Sequence, residues 1–260
     1  MLESTLTKVH QGFSYLLDPT PMQRQLLFSH TGAARFCHNF LLGIVLENWK
    51  ENREGKEAGE EVTRESYLGT RQLDLRKLWY ERRAESASWF TENASSTYNY
   101  AHVHLAQAFA NFHAGRARVP NFKSKGRSES FTQAGGSTRL VDSHHVRLSR
   151  IGEVKTYESM RKLHRHLERD SARILSVTIA ERRGEYYLSF TAEMSRVIPA
   201  PRPPERVVGI DAGLTTLYTG ATSDGTQVLS VANPRHYQRR QARLARAQRV
   251  ASRRQGLAKG

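Results

Sequence analysis

The sequence predicts an α+β protein in which a small β-barrel carries inserted helices and is followed by the start of a second, strand-rich domain. Three observations carry this. Apolar residues keep helical spacing across much of the first 113 residues, and they alternate with period two from Phe131 to Phe190. The proline-dense stretch Ile198-Pro199-Ala200-Pro201-Arg202-Pro203-Pro204 then separates both from a new β-branched run. A chain of 260 residues suffices for one large or two small domains with a core that needs no covalent staples.

In chain order, Thr5 to Leu17 alternates loosely and reads as an opening strand at the edge of the barrel, ending at Asp18-Pro19. Thr20-Pro21-Met22-Gln23 is a helix start: Thr20 is the N-cap, Pro21 takes the first helical position and Gln23 closes a capping box. Met22, Leu26 and Leu27, then Ala33, Phe36, Cys37, Phe40, Leu41, Ile44 and Trp49, predict two helices with buried stripes. Lys50 to Glu65 is charged and aperiodic, hence a solvated connection. Further helices are expected from about Thr70 to Arg83, carrying Leu73, Leu75 and Leu78, and from Ser95 or Ser96 up to a stop at Gly115. His102 and His104 lie two apart, face different ways and read as ordinary helix residues.

After the helices comes a basic loop, Gly115 to Arg127, in which Arg116, Arg118, Lys123, Lys125 and Arg127 surround Phe122. Small and flexible residues let its backbone approach phosphates, and Phe122 either stacks on an unpaired base or anchors the loop to the core. Val146 to Leu148, Ile151 to Val154 and a hairpin around Arg183-Gly184-Glu185 alternate as strands. Arg161 to His166 reads as a basic loop that either contacts phosphate or is solvated surface. Beyond the prolines, Val207 to Ile210 predicts a buried strand ending in a carboxylate, Asp211, with glycines on either side. Leu217 to Thr222 and Gln227 to Val231 complete a set of three strands. Asn233-Pro234 then opens a helix to about Gln255 that carries eight arginines and no acid. Arg235, Arg239, Arg240, Arg243, Arg246, Arg249 and Arg253 among them cover roughly half of the cylinder, as a face that binds a phosphate backbone would.

Composition narrows the partners. Lys and Arg number 40 against 25 acids, giving +15 and a pI near 10.3, so a polyanion, nucleic acid first, is expected. A single cysteine, Cys37, forms neither an intramolecular disulfide nor a four-ligand zinc site, so no zinc is expected and a reducing compartment fits. No apolar run approaches the roughly 20 residues that span a bilayer and no secretory pattern opens the chain, so no membrane partner and a cytoplasmic location are expected.

The segment Gly209-Ile210-Asp211-Ala212-Gly213 followed by Thr215-Thr216 resembles two motifs. One is the phosphate loop of actin-like ATPases, which open with it and need a long stretch of chain after it. The other is the first catalytic motif of the ribonuclease-H-like RuvC domain in the TnpB (OrfB-type) family of transposon-encoded, RNA-guided DNA nucleases. Position favours the second. The order of Thr20-Pro21-Met22-Gln23, then Arg35-Phe36-Cys37-His38-Asn39, then Pro120-Asn121-Phe122-Lys123-Ser124-Lys125, then Asp211, is similar to that family almost from end to end. The resemblance implies an OB-like wedge β-barrel (residues 1–18 and 116–198), an inserted helical recognition lobe (19–115), a linker (199–205) and a partial RuvC-like domain with an Arg-rich bridge helix (206–260). It implies guide RNA and target DNA as partners, Asp211 as catalytic residue and metal ligand, and magnesium as cofactor. The family takes two further carboxylates from segments past the bridge helix, whereas after Ala212 this sequence offers only Asp224, and Asp170 and Glu205 lie in the barrel and linker segments. The expectation is therefore a truncated, cleavage-incompetent member. The alternatives are an active endonuclease completed by a missing C-terminal nuclease half on a second polypeptide and, further off, an actin-like ATPase.

Overall fold

A computed structural model describes residues 5–126, 129–198 and 207–257. They divide into two compact units, one of Leu6–Ile198 and a second containing residues 207–257. The proposed linker, 199–205, and Glu205 within it lie outside the described residues.

The first unit opens with β1 (Thr5–Asp18) and α1 (Pro21–Glu57). Thr20 caps α1 as its composition predicts: Gln23 N donates to Thr20 Oγ1 at 3.3 Å and Thr20 N to Gln23 Oε1 at 3.0 Å. Two helices were expected here and one forms. Gly32 and Gly43 fall inside continuous helix, and α1 runs through the charged stretch after Lys50 that was read as a connection. The reason is that α1 serves two cores, which its length lets it span. Leu27 and Ala34 join Phe13 and Leu17 of β1 beneath the sheet, while Cys37, Leu41, Leu42 and Val45 join the other helices. Met22, expected inside, is exposed.

The helical core is completed by α2 (Gln72–Ser86) and α3 (Ser95–His113). Leu75 and Trp79 of α2 are buried against Tyr98, Ala101, Leu105 and Phe109 of α3, whereas Leu73 points to solvent. His102 is not an ordinary helix residue. It is fully buried, neither ring nitrogen has a hydrogen-bond partner, and burial depresses its pKa to about 4. His38 on α1 is likewise buried, with burial and then Lys123 lowering it to about 4.

A pH prediction follows from these two rings. Unfolded histidine titrates near 6.5, so between pH 6.5 and 4 the unfolded chain takes up protons that the folded chain refuses, and stability falls as pH falls through that window. At pH 5 each ring accounts for roughly 2 kcal/mol of the loss. In urea unfolding at pH 7 and pH 5, His102→Leu is expected to remove about 2 kcal/mol of the wild-type drop, to which the buried His30 also contributes, while staying near wild type at pH 7, since it replaces a buried group without partners. An unchanged pH dependence in the variant would refute the assignment.

The sheet comprises β1 together with β2 (Ser130–Ala134), β3 (Arg139–Leu140), β4 (His145–Leu148), β5 (Gly152–Thr156), β6 (Ala172–Arg182) and β7 (Glu185–Ile198), in the order β2-β6-β7-β1-β5-β4-β3. Each pair whose register is described is antiparallel. The β6–β7 hairpin turns at Arg183 and Gly184, both with positive φ, the geometry that matches strand twist. Gln133 of β2 exchanges two hydrogen bonds of 3.1 Å with the backbone of Ser149 in the β4–β5 turn, tying one end of the strand order towards the other. Arg161 to His166, expected to be a loop, lies in the helix α4 (Arg161–Glu168), which buries Leu163 in the sheet's core.

In the second unit, β8 (Val208–Ala212), β9 (Thr216–Thr222) and β10 (Gln227–Ala232) form an antiparallel sheet ordered β10-β9-β8, followed by α5 (His236–Leu257). The expected burial of β8 is not found: Ile210 is 64% exposed, and Val207 and Val208 are exposed too. Apolar, β-branched residues set the strand's conformation, but nothing among the described residues of this unit covers its faces. No helix among the described residues is long and apolar enough to cross a membrane.

Candidate nucleic-acid interface

The basic loop is held by α1. Asn39 grips the backbone of Lys123 twice, Nδ2 donating to its carbonyl at 2.9 Å and Oδ1 accepting its N–H at 2.8 Å. One turn earlier, Arg35 Nη1 donates to both carboxylate oxygens of Glu129 at 2.8 Å, and Glu129 also accepts the N–H of Gly126. The i, i+4 spacing of Arg35 and Asn39 places both on one helical face, so the Arg-Phe-x-x-Asn segment and the Pro-x-Phe-Lys-Ser-Lys loop form one device. Sequence reasoning saw both motifs and missed that each is the other's partner; the spacing puts Arg35 and Asn39 on one face but does not name what they meet 94 and 84 residues away.

So held, the loop presents Arg116, Arg118, Phe122 and Lys125 to solvent. Lys123 turns half inward, and burial lowers its ammonium pKa. Lys125 Nζ lies 5.3 Å from the centroid of the Phe28 ring. Phe122 is 55% exposed, with one edge against Gly43 of α1, so it is anchored on one side and free for stacking on the other. Arg127 lies outside the described residues.

In the second unit, Asp211 sits on the edge strand β8, opposite Thr219. Gly213 serves the turn that follows: its N–H donates to Leu217 O, and a Cβ there would come within 2.8 Å of the Thr216 carbonyl oxygen. Asp224, the next acid along the chain, is past Thr222, which pairs with Val208, so it lies more than roughly 10 Å along the strands from Asp211. Its carboxylate is already engaged by Thr222 Oγ1 and Thr226 N, which hold its pKa below the usual range. Among the described residues no three His, Cys, Asp or Glu side chains cluster as metal ligands. Asp211 and its surroundings therefore do not fit a two-ion centre, which needs bridging carboxylates to offset cation repulsion.

The helix α5 carries seven arginines and no acid, and each of its described side chains is exposed. Arg239, Arg240, Arg243, Arg246, Arg249 and Arg253 lie on it as expected. Arg235 does not. It precedes the helix with φ of 50°, its N–H donating to Asn233 Oδ1 at 2.9 Å, while its carbonyl accepts the N–H of Arg239.

Residues 189–260 match a family model described as "Probable transposase" (OrfB, IS605 type), and residues 7–54 match the model described as "Helix-turn-helix domain" of the same OrfB group. In this chain those 48 residues hold most of β1 and most of the uninterrupted α1. A protein of Streptomyces pristinaespiralis, provisionally named an RNA-guided DNA endonuclease, is 30% identical over 249 residues, covering 95% of this chain and 56% of its own. A similarly named protein of Mycobacterium tuberculosis (strain ATCC 25618 / H37Rv) is 29% identical, covering 94% and 55%, and InsQ of Escherichia coli (strain K12), also so named, is 27% identical, covering 94% and 54%. The chain thus spans about half the length of the curated relatives it matches. A CRISPR-Cas12f ternary complex aligns distantly, with a TM-score of 0.42 at 10% identity over 88% of this chain and 52% of that one. The two family matches, the relatives that cover nearly the whole chain and the order of its motifs make this protein a member of the TnpB (OrfB-type) transposase family.

Proposed function

We propose that this chain binds a guide RNA paired with target DNA, reading charge and duplex shape while base pairing reads sequence, and that these 260 residues do not cut DNA unaided. The observation that carries the reading is the run of arginines on α5 with no acid among them, seconded by a basic loop clamped to α1. In this reading the seven-stranded sheet is an OB-like wedge barrel, with the Gln133–Ser149 link in its favour, and α1, α2 and α3 form a recognition lobe. The work is cytoplasmic.

A second reading has the remaining carboxylates arrive on another polypeptide, together with the magnesium ions they would hold. The uncovered apolar residues of the second unit's sheet, Val208, Ile210, Leu229 and Val231, favour it, because they offer a face for further nuclease structure.

The test is a guide-loaded plasmid-nicking assay with magnesium or manganese, run on the purified chain with and without a separately expressed C-terminal half of a full-length relative. The chain alone is expected to leave the plasmid intact, and Asp211→Ala to change nothing. Nicking by the chain alone that disappears in Asp211→Ala would overturn the first reading. Nicking only with the added half, and lost in Asp211→Ala, would establish the second.

A further inference from the structure

Between the end of α2, the start of α3 and the β4–β5 turn lies a polar cavity of about 240 Å³. It is smaller than the roughly 300–1,000 Å³ of pockets for small organic ligands, so a compact group suits it. Its walls are rich in donors. Trp79 is 1% exposed, and its Nε1–H has no hydrogen-bond partner. Asn93 is 4% exposed and its Nδ2 makes no hydrogen bond, although the Tyr98 hydroxyl lies close enough to feel it. Burying such donors unpaired costs about 1–3 kcal/mol each; both atoms are closed to water in this packing, so an acceptor entering the cavity reaches them only as the Trp79 and Asn93 side chains turn towards it.

Two cations share the cavity. The Arg83 guanidinium is held between two rings, 3.9 Å from the Tyr80 centroid and 4.1 Å from that of Phe90, which fixes its direction without neutralising it. Arg150 comes from the β4–β5 turn with a left-handed backbone, φ 63°. Among the described residues of the first unit neither arginine makes an ion pair, and no acid lines the cavity; Glu92, near enough to raise the Tyr98 pKa, is not part of its wall. The third contributor is the N-terminus of the 19-residue α3, whose first residue, Ser95, lines the cavity. Its N-cap is Ala94, which offers no side-chain cap; Thr97 N–H already donates to Ala94 O at 3.0 Å, so the N–H groups of Ser95 and Ser96 and the positive end of the helix dipole are what the helix start offers a ligand.

We propose that this cavity is a phosphate seat, taking one phosphate group of a nucleic-acid strand between Arg83, Arg150, Trp79 Nε1, Asn93 Nδ2 and the start of α3. It rests on the nucleic-acid-binding reading and adds to it a single, built anion site remote in sequence from the basic loop and from α5.

The full chain is labelled with 5-fluorotryptophan, and its three signals are assigned with Trp49→Phe and Trp89→Phe, which leave Trp79 by elimination. Inorganic phosphate, titrated at constant ionic strength against chloride, is expected to shift the Trp79 signal saturably and leave the other two in place. Arg83→Gln and Arg150→Gln should each weaken that binding about tenfold, and Arg150→Lys should retain most of it. Oligonucleotides with 5′-phosphate or 5′-hydroxyl, as DNA and as RNA, then name the source. A shift that needs the 5′-phosphate assigns a strand end, and a shift without it assigns an internal phosphodiester, of whichever strand gives it. If phosphate leaves Trp79 unmoved, or moves it equally in both glutamine variants, the cavity holds water only and the proposal falls. Oligonucleotide binding that persists in that case preserves the broader reading, whereas its absence in the unaltered chain refutes both.

Discussion

Affinity for a duplex or heteroduplex is expected to fall by about 10³ to 10⁵ between 50 and 200 mM salt, the loss that goes with neutralising six to ten phosphates. The formal charge of +15 supplies the attraction, and α5 supplies its most concentrated source. Arg239, Arg243, Arg246 and Arg253 fall within roughly 80° of one another around the helix. All four are exposed, so replacing them together with glutamine removes the proposed phosphate contacts without opening a cavity. The slope of log affinity against log salt should then become shallower by about three to four, at close to 0.9 for each phosphate no longer neutralised. The melting temperature should stay the same or rise slightly, since crowded like charges along one helix repel. A flat salt titration in the unaltered chain would sink the electrostatic reading. A collapse in melting temperature with the slope preserved would mean that α5 is structural.

What the sequence revealed depended on how local the deciding interaction was. The capping box at Thr20 and Gln23 and the Arg183-Gly184 turn are decided within four residues, and both were legible. So were the three strands around Asp211, because β-branched runs between turn signals set conformation locally. Burial is not local. The same Val208 and Ile210 that specify a strand say nothing of whether another layer covers them, and here none of the described residues of their unit does. The single α1 escaped for a related reason: Gly32 and Gly43 weaken a helix locally, but a helix packed on two cores tolerates that cost, which is about 1 kcal/mol for each glycine relative to alanine. At the site, charge was legible and partnership was not. Arg35 and Glu129 are 94 residues apart, and no pattern in either neighbourhood names the other.

That partnership carries the largest stability effect expected here. Arg35 and Glu129 keep side-chain exposures of only 17% and 9%, and their contact is doubly hydrogen-bonded. Removing one member of such a pair strands the other as a buried charge, a loss of 3–5 kcal/mol when burial is complete and about 3 kcal/mol allowing for the exposure left here. Glu129→Ala also releases the N–H of Gly126, so the loop loses a second tie with the same substitution. For a unit of this size the melting temperature should drop by about 6–12 °C. Arg35→Ala should cost a similar amount, and the double variant much less than the sum, because both singles break the same interaction. Asn39→Ala should be milder, about 1–2 kcal/mol for two neutral hydrogen bonds to the Lys123 backbone. All three should expose the peptide bonds after Lys123 and Lys125 to trypsin under conditions where the α5 glutamine variant remains intact, because the clamp fixes the loop and α5 does not. Additive costs for Arg35→Ala and Glu129→Ala, or a loop that stays protected in both, would show that α1 does not hold the backbone of the basic loop in place.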